Sequence, residues 1–140
     1  VSFLLDTNVV SEIRKKMPDP GVSAWFAAVP ASDLFLSAVV VGEIRQGIDR
    51  LARRDPAQAD VFARWLGQLV DVYGDRIVPV TADVAEAWGR LNVPDPLPVV
   101  DGLSAATALV HGWTLVTRNV EDVTSTGARL LNPFTATHGR

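Results

Sequence analysis

Phe3-Leu4-Leu5-Asp6-Thr7-Asn8-Val9-Val10-Ser11-Glu12 decides how the rest of the chain reads. Its three leading apolar residues, Phe3 to Leu5, have the pattern of a fully buried strand. Asp6, Thr7 and Asn8 follow at once, and each can cap a helix N-terminus. Asp6 is therefore expected where a strand turns into a helix. In open α/β sheets, sites are built at that edge, outside the carboxyl ends of the strands. The plain alternative is that Asp6 only caps a helix. The choice turns on whether acids recur at equivalent places.

They do, as the chain is followed outward. Thr7 to Lys16 reads as a short helix whose basic end, Arg14-Lys15-Lys16, suits the negative end of the helix dipole, with a phosphate contact as the lesser reading. Pro18 and Pro20-Gly21 interrupt the chain, and Val22 to Val29 reads as a second short helix. Asp33 to Ser37 reads as a second buried strand. Ser37 then caps a helix from about Val39 to Leu51, with Val40, Ile44, Ile48 and Leu51 on one face. Glu43 lies in its first turns, among Val39, Val40, Val41 and Ile44. The dipole accounts for an acid near a helix start, but these apolar neighbours are odd company for a solvated one. Ala57 to Val72 reads as a long amphipathic helix, with Val61, Trp65 and Leu69 on one stripe and Phe62 and Leu66 beside it.

Ile77 to Val80 reads as a short strand, and its Pro79 suits a sheet edge. Thr81 caps a helix reaching about Leu91. A proline-rich bend follows at 93–98, and Val99 to Ala108 is then a helix rich in small residues. Asp101 stands in its first turns with no Lys or Arg at an adjacent helical position. A carboxylate there is costly to bury unless it is paired or binds metal. Trp113 to Val116 reads as the fourth strand, Thr117 to Asp122 as a polar loop after it, and Ala128 to Leu131 as the last strand. Residues 135–140 are expected to form a frayed tail.

This alternation predicts one α/β domain over residues 1–134, an α/β/α sandwich on a mainly parallel sheet of four or five strands. A chain of 140 residues, 48% hydrophobic, suits one domain with a real core. The absence of cysteine excludes disulfides, thiolate metal sites and cysteine nucleophiles, and suits a reducing cytoplasm. No stretch approaches the roughly 18 apolar residues of a membrane-spanning helix, so no membrane role is expected. With His111 and His138 as its two histidines, the chain is a poor fit to a multi-histidine zinc site. A net charge of −3 argues against a general nucleic-acid binder. Any RNA contact must rest on local cations, of which Lys15, Arg45 and Arg50 are the first candidates and Arg53 and Arg54 the next.

Asp6, Glu43, Asp101 and Asp122 are all expected near strand carboxyl ends or the helix starts beside them. In a parallel sheet those ends share one edge. Converging carboxylates repel unless a cation neutralises them, and hard oxygen ligands select Mg²⁺ or Mn²⁺ over zinc. Such a cation activates water and offsets charge on a phosphoryl transition state. The residues thus read as a Mg²⁺-dependent phosphodiesterase. A phosphatase or receiver-like domain using Asp6 as phosphoryl acceptor is a rival. The missing glycine-rich loop and the position of Glu43 weigh against it.

Four segments carry a resemblance. They are Leu4 to Glu12, Ser37 to Gly47 with Glu43, Pro98 to Ala108 with Asp101, and Leu115 to Asn119 with Asp122, followed by Leu130 to Phe134. In that order and spacing the chain resembles a PIN-domain ribonuclease, close to the VapC toxins of toxin–antitoxin pairs and to their FitB-like branch. The resemblance implies metal binding by Asp6, Glu43 and Asp101. Asp122 is the implied fourth acid and Asn119 its rival, with Thr117 and Asn8 in support. It further implies Mg²⁺ or Mn²⁺ as cofactor, cleavage of structured RNA such as tRNA or rRNA, and a homodimer. The implied partner is a VapB-type antitoxin, with higher toxin–antitoxin assembly beyond it. Val123 departs from the family's usual Phe, and Ser104 from its usual aliphatic residue. A catalytically silent PIN-fold module that only binds partners is the alternative from another class.

Overall fold

Short apolar runs and amphipathic ones do alternate. A computed structural model, describing residues 1–135, resolves them into five strands and seven helices among those residues. Strand β1 (Phe3–Leu5) leads into α1 (Thr7–Ile13) and α2 (Pro20–Ala28). Strand β2 (Leu34–Ser37) leads into α3 (Ala38–Ala52) and α4 (Pro56–Tyr73). Strand β3 (Ile77–Val78) precedes α5 (Ala82–Leu91) and α6 (Val99–His111). Strand β4 (Thr114–Val116), α7 (Val120–Val123) and β5 (Arg129–Leu131) complete the order. Side chains of Asp6, Asp19, Ser37, Asp55 and Thr81 cap α1 to α5 in turn. Each satisfies backbone N–H groups that a helix start leaves without partners.

The sheet order is β3-β2-β1-β4-β5, and every pairing is parallel. The first strand made is thus the central one, with Leu5 in register with Leu36 on one side and Val116 on the other. Strand alternation splits the core into two layers. Leu5, Leu34, Leu36 and Val116 pack against α1 to α4, through Val9, Val22, Val40, Ile44 and Leu66. Leu4 and Leu115 pack instead with Ala105 and Ala108 of α6 and Val123 of α7. Helices therefore cover both faces, as an all-parallel sheet requires. The chain moves outward from β1 in one direction and returns past it to β4. That reversal puts a crevice between β1 and β4 at their carboxyl ends.

Some expectations shift. Helix α1 stops at Ile13, so Arg14 caps it and Lys15 and Lys16 lie beyond its end. Pro79 falls just outside β3, which is an edge strand as the proline suggested. The stretch after β4 is a loop only through Asn119, because Val120 to Val123 closes a helical turn that buries Val123. In α4 the fully buried line is Ala59, Leu66 and Tyr73, flanked by Phe62, Trp65 and Leu69, and Val61 faces solvent at 47% exposure. Packing against α3 selects that line over the stripe through Val61. Of the tail expected at 135–140, residues 136–140 lie outside the described residues. Thr135 is held, since its N–H and hydroxyl both donate to Asp19 Oδ2, at 2.8 and 3.0 Å.

Candidate active site

The crevice between β1 and β4 is ringed by acids because each nearby chain reversal delivers one. Asp6 follows β1 directly, and its own N–H donates to Val116 O at 2.9 Å, extending the ladder by one step. This draws the residue into the sheet and leaves it 4% exposed. Its Oδ1 accepts the Thr7 N–H at 2.9 Å, the capping contact. Its Oδ2 accepts the Thr117 hydroxyl at 2.8 Å and the Asn8 amide at 3.5 Å. Asp6 therefore caps α1 and also faces the crevice. Burial pushes its carboxyl above the usual range, opposed by the bonds from Thr117 and Thr7, and the nearby Glu43 charge pushes it further up.

Thr117 and Asn8 tie the two sides of the crevice together. Thr117 is 1% exposed, and its Oγ1 also accepts the Asn119 N–H at 3.0 Å. Asn8 reaches Thr117 Oγ1 at 3.4 Å and accepts the Arg118 N–H at 3.1 Å. The expected supporting residues thus position the chain between β4 and α7.

Asp101 comes from the first turn of α6 but does not cap it. Pro98 holds the cap position, and the helix start has no side-chain cap bond. Among the described residues, no hydrogen bond or ion pair to the Asp101 side chain is present. Its carboxyl is pushed up to about 6, by burial first and then by the charges of Asp6, Asp122 and Glu43. The other three acids singled out in the sequence therefore lie within electrostatic range of Asp101. Asp6, Glu43, Asp101, Asn8 and Asn119 line one cleft of about 290 Å³, with Thr7 on its rim. Asp122 lies in an adjoining recess of about 390 Å³, shared with Arg118, Asn119 and Asn132. Asn119 is common to both, so the two rivals for the fourth position sit side by side.

Among the described residues, no three acidic or imidazole groups already form a closed ligand cluster. The fit to a divalent cation rests on donor chemistry. The cleft offers oxygen donors without thiolate or imidazole, and Asp101 and Glu43 carry carboxylates that no described cation neutralises. This is the donor set of a hard cation such as Mg²⁺ or Mn²⁺. Asp6, Glu43 and Asp101 would hold it, with Asp122 or Asn119 at the flank.

The basic residues fall differently from the sequence expectation. Lys15 Nζ donates to Glu12 Oε1 at 2.9 Å, and Glu12 Oε2 accepts the Asp19 N–H at 2.8 Å. These two bonds hold Glu12 below the usual carboxylate range and staple α1 to α2. Arg45 pairs with Asp49 at 3.6 Å. Lys15, Arg45 and Arg50 line none of the recesses around the acids. Arg14, which sequence alone assigns to the helix dipole, lies over the Phe62 ring at 4.1 Å beside the cleft. Its spacing from Thr7 and Ser11 (i, i+4, i+7) is the signal that places it on the cleft side of α1.

The departures at 104 and 123 also resolve. Val123 is 2% exposed and fills the second core layer, so the turn carrying Asp122 is packed beneath. Ser104 is 1% exposed, and its hydroxyl has no partner.

Comparison with known proteins gives a consistent picture. Residues 3–121 match the family model of the PIN domain. The chain is 32% identical over 140 residues to the VapC ribonuclease Y4jK of Sinorhizobium fredii, covering 94% of this chain and 97% of that one. It is 30% identical over 138 residues to toxin FitB of Neisseria gonorrhoeae, covering 94% and 98%. Among solved structures, FitAcB from Neisseria gonorrhoeae superposes with a TM-score of 0.85 at 30% identity, covering 94% of this chain and 97% of that one.

Proposed function

Since the chain belongs to the PIN-domain family, we propose that it is the toxin of a toxin–antitoxin pair and acts as a metal-dependent endoribonuclease. The observation that carries this reading is the convergence of Asp6, Glu43 and Asp101 on one cleft, with no hydrogen bond or counter-charge to the Asp101 side chain among the described residues. A merely structural acid would have a cap bond or a counter-charge. When bound, Mg²⁺ or Mn²⁺ supplies Lewis acidity toward water and the phosphodiester.

The chain's own residues do the rest. Asp6, Glu43 and Asp101 would hold the cation at the carboxyl ends of β1 and β4. Thr117 and Asn8 fix the Asp6 oxygens, so that carboxylate needs no reorganisation when substrate arrives. Asp122 and Asn119 stand at the far rim, where they orient a water or the leaving oxygen. Structured RNA, tRNA or rRNA, is the substrate class that the family likeness supports, and the cytoplasm is the matching compartment. The partner we propose is an antitoxin of the kind assembled with FitB-like toxins, and the toxin itself is a homodimer.

The test uses the purified chain, free of partner, with end-labelled tRNA. Cleavage should require Mg²⁺ or Mn²⁺, stop in EDTA, and fall by orders of magnitude in Asp101→Asn, which removes a charged oxygen ligand. Cleavage that survives complete chelation overturns the metal-dependent reading. The alternative is a silent partner-binding module. RNA left intact at saturating metal would support that module instead.

A further inference from the structure

The acidic cleft continues past Thr7 into a second recess. Thr7 lines both, and the second, of about 310 Å³, runs between α1, α3 and α4. Thr7, Ser11 and Arg14 follow one another along its α1 wall, spanning about 10 Å at 1.5 Å per residue. Arg54, just beyond α3, also lines it, and no acid does.

Three features give this recess a direction. First, the whole chain carries −3 and the cleft three acids, with Asp122 in the adjoining recess, so a polyanion gains its affinity from cations beside the acids rather than from overall charge. Second, Arg14 and Arg54 have no carboxylate partner among the described residues, whereas Lys15, Arg45 and Arg90 do. The Arg14 guanidinium lies over the Phe62 ring at 4.1 Å from its centroid, with the Trp65 ring at 5.9 Å. Stacking of this kind holds a guanidinium while leaving its N–H edge free for a phosphate. Third, the Thr7 hydroxyl at the junction is buried and has no partner. Because Arg14 covers the Phe62 face, that ring is not offered to a nucleobase. The recess is built to hold charge, not to read bases.

We propose that Arg14 and Arg54 form a backbone-phosphate subsite that anchors the RNA strand next to the bond cut at the acidic cleft. The subsite rests on the ribonuclease reading above. It is sequence-independent, because phosphate contacts position a strand without reading it. The apolar walls between the two cations lower the local dielectric and strengthen each contact.

The experiment measures binding, not cleavage. A fluorescein-labelled oligouridylate is titrated with partner-free protein in EDTA, following anisotropy at several salt concentrations. The proteins are wild type, Arg14→Gln, Arg14→Lys, Arg54→Gln and, as a control remote from the recess, Arg90→Gln. Arg14→Gln and Arg54→Gln should each weaken binding about three- to tenfold and lower the salt slope by about 0.7. Arg14→Lys should keep the slope, and Arg90→Gln should match wild type. Arg54→Gln carries the test if loss of the Phe62 stack unfolds Arg14→Gln. Wild type that neither binds nor cleaves RNA overturns the ribonuclease reading, and the subsite with it. Wild type that binds and cleaves, with affinity and slope unchanged in Arg54→Gln and in any folded Arg14 variant, overturns the subsite alone. Variants that bind RNA normally but lose an inhibitory protein partner would reassign the recess to that partner.

Discussion

Asp101→Asn separates a carboxylate that serves the fold from one that burdens it. The Asp101 carboxyl is pushed from its ordinary 3.8 to about 6. An acid with a raised pKa holds its proton more tightly in the fold than in the unfolded chain. Its ionised form therefore weakens the fold fully above about pH 6. The burden shrinks as pH falls from about 6 toward 4, and it is gone once both states are protonated. A displacement of this size corresponds to about 3 kcal/mol. Partial exposure screens it, and about 1–2 kcal/mol is the expected effect. Asn keeps the shape and removes the charge. In a domain of 140 residues, each kcal/mol moves the melting midpoint by about 3–4 °C. In EDTA at pH 8, Asp101→Asn should therefore melt about 3–8 °C above wild type, and the two should converge near pH 4. Added Mg²⁺ should close the gap at pH 8 from below, because ligand binding stabilises wild type by mass action. Calorimetry across pH is the assay. A variant that melts below wild type at pH 8, or a gap that does not change between pH 8 and pH 4, would refute the reasoning.

Three further outcomes follow from named contacts. Thr117→Val removes the hydroxyl that bonds Asp6 Oδ2 and the Asn119 N–H; urea unfolding should show a loss of about 1–3 kcal/mol, together with slower RNA cleavage. Ser104→Ala deletes a buried hydroxyl without a partner and should stabilise the protein by about 1 kcal/mol with cleavage unchanged. Gly21→Ala would put a Cβ 2.5 Å from Pro133 O and 2.9 Å from the Thr135 nitrogen. Those are backbone atoms with little room to retreat, so a loss of about 1–3 kcal/mol is expected by denaturant titration.

The parts legible in the sequence were those governed by local pattern. Phe3 to Leu5 followed by Asp6 marked a strand end, and Asp101 in an apolar helix without a counter-charge marked an acid with another task. What stayed hidden depended on neighbours far away in sequence. The Asn8 amide is defined by Thr117, 109 residues on. The bond from Lys15 to Glu12 was hidden because Glu12 gives no local sign of being buried. Arg14 read as a dipole cation because only the packing of α4 on α3 brings Phe62 beneath it. The stripe on α4 was misplaced for the same reason: periodicity gives several adjacent lines, and the facing helix chooses among them. The turn of Val120 to Val123 is too short for any period to declare.

The central place of β1 also bears on the order in which the cleft is assembled. Asp6 is synthesised 111 positions before Thr117, its hydroxyl donor. At about 5–20 residues per second, that is an interval of roughly 6–20 s. Until β4 emerges, β1 lacks one of its two neighbours and the cleft has only one wall. A nascent chain therefore holds Asp6, Glu43 and Asp101 before the strand that leads into Thr117 is in place beside β1. The topology thus leaves the cleft without its second wall until β4 has been made.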